Sequence, residues 1–142
     1  MTFSATPHLN FRGNARAALA FYQAAFDGDL TIVTYQDAHQ VERLDEADQV
    51  MWGQVATANG MRVMAFDVPA SRPWHPGENA VYVVVGGTHE EITRAWDRMA
   101  DGATVLQALA PSAWAPLYGM LKDRFGITWV LSVPAQAGTH HP

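Results

Sequence analysis

Apolar residues recur at helical spacing in two stretches of the chain and alternate or run together in the stretches between them. Ala15, Ala18, Leu19, Tyr22, Ala25 and Phe26 fall on one stripe, the spacing of a helix with a single buried face. Gly13-Asn14 opens this helix with Asn14 as N-cap, and Asp27-Gly28 closes it with Gly28 as the left-handed stop. Ile92, Ala95, Trp96 and Met99 make a second stripe, capped by Thr88 and ended by Asp101-Gly102. Strand patterns fill Pro7–Phe11, Leu30–Tyr35, Val50–Ala58, Met61–Phe66, Ala80–Val85, Thr104–Leu109, Leu117–Lys122 and Thr128–Val133. Asn59-Gly60 reads as a two-residue hairpin turn. Ala80–Val85 is nearly all apolar and reads as a buried strand. Gln36–Gln49 is a polar loop with a helical turn, and Val68–Glu78, with three prolines, is an exposed connector.

The same element order therefore occurs twice. A shift of 74 places Gly13 on Gly87, Asn14 on Thr88 and Tyr22 on Trp96, while a shift of 66 places Trp52-Gly53 on Tyr118-Gly119 and Gly60 on Gly126. Any two αβ units share caps and terminal glycines, but a shared order favours duplication. The expected fold is α+β, with tandem βαβββ modules at residues 1–68 and 79–134, joined by 69–78 into one structural domain. The tail 135–142 has no packing pattern and is expected to be disordered.

Composition narrows the function. The 142 residues carry a net charge of −5 and no run of cations, which argues against nucleic acid. No cysteine is present, so disulfides, thiolate catalysis and cysteine–zinc sites are excluded. The apolar runs are too short to span a membrane, and MTFSATPH lacks a signal-peptide pattern. A soluble cytoplasmic protein is expected.

Strand periodicity assigns the faces. Leu9, Phe11, Met61, Val63, Ala65, Trp129, Leu131 and Val133 should face the helices. The other face then carries His8, Asn10, Arg62, Met64, Phe66, Tyr82, Thr128, Val130 and Ser132. Its mix of apolar walls and a few polar groups suits a small-molecule pocket, although a partner subunit or partial solvation would also explain it. Within it, His8 is a candidate general base, Arg62 an anchor for a carboxylate or phosphate, and Tyr82 a hydrogen-bond donor. Trp114 and Tyr118 are candidate aromatic walls. Trp129 and Trp96 read as core. No Gly-x-Ser-x-Gly, P-loop or dinucleotide fingerprint occurs.

LNFRGNARAALAFYQ and WAPLYGMLKDRFGITW, the latter with Trp114, Tyr118-Gly119, Asp123, Phe125-Gly126 and Trp129, resemble the opening and closing signatures of PhnB-like proteins. These belong to the vicinal oxygen chelate superfamily, with glyoxalase I, bleomycin-resistance proteins and extradiol dioxygenases. The resemblance covers most of residues 6–133. It implies two βαβββ modules with curled mixed sheets enclosing a cleft, usually in a homodimer. Some such proteins have been labelled 3-demethylubiquinone 3-methyltransferases, but nothing in the chain resembles a Gly-rich methyl-donor site. Metal-dependent members hold a divalent ion with four side chains, which by position are His8, Met64, Tyr82 and Val130. Only His8 is an ordinary ligand, one where about three are needed, so no metal and no other cofactor is expected. His39, His75 and His89 read as solvated, and His140-His141 as at most an adventitious metal binder. The resemblance and the face together imply a protein that binds a small aromatic, amphipathic or anionic molecule. Its ligand-binding candidates are His8, Asn10, Arg62, Met64, Phe66, Tyr82, Trp114, Tyr118, Thr128 and Val130. Two other readings stay open: a metal-dependent lyase, isomerase or dioxygenase with a variant site, and a protein-interaction module with a vestigial cleft.

Overall fold

The computed structural model describes residues 3–135. Most of the tail 135–142, with His140-His141, lies outside them. The chain divides into two compact units, Met1–Gly77 and Glu78–Pro142.

The first unit runs β1 (His8–Phe11), α1 (Ala15–Phe26), β2 (Asp29–Thr34), a 3-10 turn (Leu44–Glu46), β3 (Val50–Ala56) and β4 (Arg62–Asp67). Its sheet has the order β1-β4-β3-β2, with β1 parallel to β4 and the other pairs antiparallel. The helix stripe packs on β2, β3 and β4, burying Ala15, Ala18, Leu19, Tyr22 and Ala25 against Val55, Val63 and Ala65. At Gly53 the approach is so close that a Cβ would collide with Leu19 Cδ1. The glycine inside the strand is there because α1 rests on its backbone.

Asn14 occupies the cap position of α1, but its side chain caps nothing. The acceptor comes from β4 instead. Asp67 Oδ1 accepts from the N–H groups of Gly13 at 2.7 Å and Ala15 at 3.0 Å, and Oδ2 from that of Val50 at 3.0 Å. Asp67 is 1% exposed, so one carboxylate ties helix start, β3 and β4 together in the interior. The Tyr35 hydroxyl donates to the Asp67 carbonyl at 2.6 Å, and burial pushes the Tyr35 phenol up from its ordinary pKa. At the far end of α1 the left-handed residue is Asp27, with φ 55°, and not Gly28. Gly28 instead packs where a Cβ would meet Val55 Cγ1 at 2.7 Å.

Of Val68–Glu78, residues 70–73 and 75–78 are exposed as expected, but its first part is bonded to the first unit. Val68 and Pro69 are buried. Arg12 donates to the carbonyls of Val68 and Pro69 at 3.2 Å and to that of Arg72, and its guanidinium lies 5.7 Å from the Trp74 ring. Glu46 accepts from Ala70 N–H at 2.8 Å. The stretch is a strap bound to the first unit as far as Trp74.

The second unit runs β5 (Tyr82–Gly86), α2 (His89–Met99), β6 (Thr104–Ala110), β7 (Leu117–Lys122) and β8 (Thr128–Val133), with sheet order β5-β8-β7-β6. This is the strand order of the first unit repeated. Here the cap is the one expected: Thr88 Oγ1 accepts from Glu91 N–H, and Glu91 accepts from Thr88 N–H. That reciprocal bond holds the Glu91 carboxyl below the ordinary glutamate range. Ile92, Ala95 and Met99 are buried, and Trp96 covers Gly119, where a Cβ would meet its ring at 2.8 Å. Trp129 is fully buried. β5 departs from expectation: Val81 is 72% and Val84 67% exposed. It is an edge strand, and its odd-facing residue Val83 is the one in the core.

Hairpin hydrogen bonds carry the duplication into the backbone. Thr57 N–H donates to Met61 O, Gly60 N–H to Thr57 O, and Met61 N–H to Thr57 Oγ1. Sixty-six positions later Asp123 N–H donates to Ile127 O, Gly126 N–H to Asp123 O, and Ile127 N–H to Asp123 Oδ1. Gly60 and Gly126 both have positive φ, 102° and 93°. The Asn59-Gly60 turn is thus a three-residue loop with a left-handed glycine, not a two-residue one.

Both sheets are open and uncurled, where the resemblance implies curled ones. Each has two edge strands, because four strands are too few to close on themselves.

Candidate functional site

Each helix covers one face of its sheet, and the candidate residues lie on the other. In the first unit the ladder sets them in rows across the strands. His8 pairs with Met64, Met64 with Gln54 and Gln54 with Thr31. One step along, Asn10 pairs with Phe66 and Trp52 with Val33. One step the other way, Arg62 pairs with Ala56 and Ala56 with Asp29. An aromatic row, a hydrogen-bonding row and a charged row therefore lie side by side. His8, Asn10 and Arg62 are exposed, while Met64 and Phe66 are half-buried. The His8 ring meets Phe66 edge-on, with centroids 5.1 Å apart, and Nδ1 lies 2.8 Å from Asn10 Oδ1.

In the second unit the corresponding rows are Tyr82, Thr128 and Lys122; Val84, Val130 and Met120; and Gly86, Ser132 and Tyr118. Tyr82 is 42% exposed and Tyr118 half-buried. Thr128 and Val130 fall on the expected face but are buried, because β8 is central and carries neighbours on both sides. Trp114 precedes β7, is 62% exposed, and meets Tyr118 edge-on with centroids 5.1 Å apart. Ser112 Oγ fixes that loop by accepting from the N–H groups of Trp114 and Ala115.

Sequence reasoning missed Thr31, Trp52, Gln54, Met120 and Lys122. The signal for Trp52, Gln54 and Met120 was Gly53 and Gly119, since a glycine that must face a helix turns both its neighbours to the other side.

The ladder also corrects the metal mapping. Gly53 pairs with Ala65 and Gly119 with Leu131, so the 66-residue offset holds for the hairpins. His8 pairs with Met64, and the residue paired in parallel with Val130 is Val84, not Tyr82. The second unit runs two residues shorter from strand to helix, so the helix-based offset misplaces the strand by two. By register, Val84 rather than Tyr82 is the second-unit counterpart of His8. Within the first unit His8 and Met64 offer one imidazole and one thioether, and within the second Val84 and Val130 offer no donor to a cation. Among the described residues no group of three His, Asp or Glu is placed to hold one. No described helix is long and apolar enough to cross a membrane. A shallow hollow of about 530 Å³ lies along α2, lined by His89, Glu90, Thr93, Arg94 and Asp97. None of the candidates borders it.

Residues 4–132 match the family described as 3-demethylubiquinone-9 3-methyltransferase. Protein YjdN of Escherichia coli K12 is 26% identical over 144 residues, spanning 94% of this chain and 97% of its own. Protein PA1353 of Pseudomonas aeruginosa superposes with a TM-score of 0.81 at 26% identity, covering 95% of this chain and 100% of that one. The PhnB protein of Bacillus cereus superposes with a TM-score of 0.70 at 24% identity, covering 92% and 99%.

Proposed function

The chain belongs to the family described as 3-demethylubiquinone-9 3-methyltransferase, the PhnB-like branch of the vicinal oxygen chelate superfamily, and we propose that it binds a small aromatic or amphipathic molecule without a metal ion. The observation that carries this is the helix-free face of the first sheet, where Phe66 and Trp52 lie beside His8, Gln54 and Thr31. A flat ring would pack on the aromatic row while its polar substituents meet the hydrogen-bonding row. Arg62, exposed at one side, favours an anionic group there. The methyl transfer in the family's description finds no support in the chain, which has no Gly-rich methyl-donor loop. The same reading makes it a cytoplasmic homodimer. Exposed Tyr82 and Val84 on an edge strand, with exposed Val81 just before it, favour a second copy covering them. Sedimentation at micromolar concentration should give twice the chain mass, and a monomer mass would remove the dimer.

Thermal shift in the presence of a chelator tests the binding. A panel of aromatic carboxylates, quinone-like compounds and antibiotics should contain binders. At a concentration about a hundredfold above Kd a binder adds about 2.7 kcal/mol, which raises Tm by about 5 °C or more. Arg62→Gln should weaken a bound aromatic carboxylate by about twofold to fivefold, the range of an exposed ion pair. Indifference to the whole panel, or shifts seen only with a divalent ion added, would count against the proposal.

A further inference from the structure

The imidazole of His8 has a neighbour at one of its two nitrogens. His8 and Asn10 are i and i+2 on β1, so both side chains stand on the helix-free face. Nδ1 lies 2.8 Å from Asn10 Oδ1. A carboxamide oxygen only accepts, so a neutral ring that is hydrogen-bonded to it must carry its proton on Nδ1, with a lone pair on Nε2. The edge-on contact with Phe66 fixes the ring plane. Among the described residues nothing is hydrogen-bonded to Nε2. The pair is itself held in place. Asn10 is on an edge strand, and its outward carbonyl accepts from the Trp74 indole at 3.0 Å. Trp74 in turn sits beside Arg12, which is bonded to the strap.

We propose that Asn10 is a positioning residue, whose oxygen holds His8 as the Nδ1–H tautomer so that Nε2 receives a hydrogen bond from the ligand. This rests on the binding role proposed above and narrows it. The ligand class is an aromatic molecule bearing a hydroxyl or N–H donor, not one bearing only acceptors at that point. An exposed bond between neighbours on one strand adds little to stability. Its effect is on which nitrogen carries the proton.

Long-range ¹H–¹⁵N spectra of the full chain, recorded without ligand at a pH where histidines are neutral, read the tautomer directly. Wild type should show His8 as Nδ1–H. Asn10→Ala should move it towards Nε2–H, the form free imidazole side chains prefer, with Tm essentially unchanged. Asn10→Asp, which keeps an acceptor in place, should retain Nδ1–H. A wild-type His8 found as Nε2–H, or one unmoved by Asn10→Ala, would overturn the proposal. The ligand class is read with 2-naphthol and its methyl ether, which differ only in the donor. The naphthol should bind about threefold to tenfold more tightly, the range of one net hydrogen bond, and Asn10→Ala should abolish the difference. Equal binding, or none by either probe, would overturn the donor class. Because the tautomer is read without ligand, its failure is distinct from a failure of the binding role.

Discussion

Asp67→Ala is expected to destabilise the protein by about 4 kcal/mol, read as a fall in the urea midpoint at unchanged slope. Three backbone N–H groups from two separate segments converge on this carboxylate. Bonds to a charged acceptor contribute about 1.5–3 kcal/mol each, and orphaned buried donors add their own desolvation cost. The values do not add in full, since Gly13 and Ala15 at the helix start would regain some water. Single domains have about 5–15 kcal/mol in total, so the loss is a large share of it. Asp67→Asn should cost about half as much, because one amide oxygen can serve the helix start while its NH₂ opposes Val50 N–H. A loss below about 1 kcal/mol for Asp67→Ala would mean that Asn14 or water caps α1 equally well.

Trp129→Ala should be comparable, about 3–5 kcal/mol, the range for truncating a fully buried aromatic. Trp129 is the largest side chain with no exposure, and it has a polar end to satisfy. Its indole N–H donates to Asp123 Oδ2 at 2.9 Å, while Asp123 Oδ1 accepts from Phe125 and Ile127. Asp123 thus joins the β7–β8 hairpin to the core of the second unit. Trp129→Phe keeps most of the volume and removes the donor, so it isolates the hydrogen bond at about 1–2 kcal/mol. A double-mutant cycle of Trp129→Phe with Asp123→Ala should show coupling of about 1 kcal/mol or more. Coupling near zero would mean that the indole only packs.

Asp67 and Asp123 also mark where sequence reading stops. Val63, Ala65 and Asp67 alternate as one buried stripe, so a charge stands where the pattern demands a hydrocarbon. Such a residue must have partners, but its partners lie 17 and 52–54 positions away. No local pattern could name them. Asn14 was the better local choice for a cap, and it lost to a charged acceptor supplied by tertiary structure. Thr88, whose partner is only three residues on, was legible.

The faces were legible for the same reason. Alternation is local, and an error of two residues leaves a side chain on its own side. That is why the 74-residue offset put Tyr82 on the expected face yet at the wrong rung. The rung depends on the length of the turn before α2, which periodicity does not report. Exposure along β5 was hidden too. A run of Val, Tyr, Val, Val and Val signals a buried strand in the centre of a sheet, whereas here it forms an edge. The strap reads as a Pro-rich connector until Arg12 is seen to bond it along Val68–Arg72.

On the proposed function the helix-free face of the first sheet receives the ligand, with no divalent ion between. Backbone amide spectra of ¹⁵N-labelled protein, titrated with whichever aromatic compound gives the largest thermal shift, test it most directly. With a chelator present, the resonances that move should cluster at His8, Asn10, Thr31, Gln54, Met64 and Phe66. Movement confined to α1 or α2, or movement that the chelator abolishes, would contradict the account.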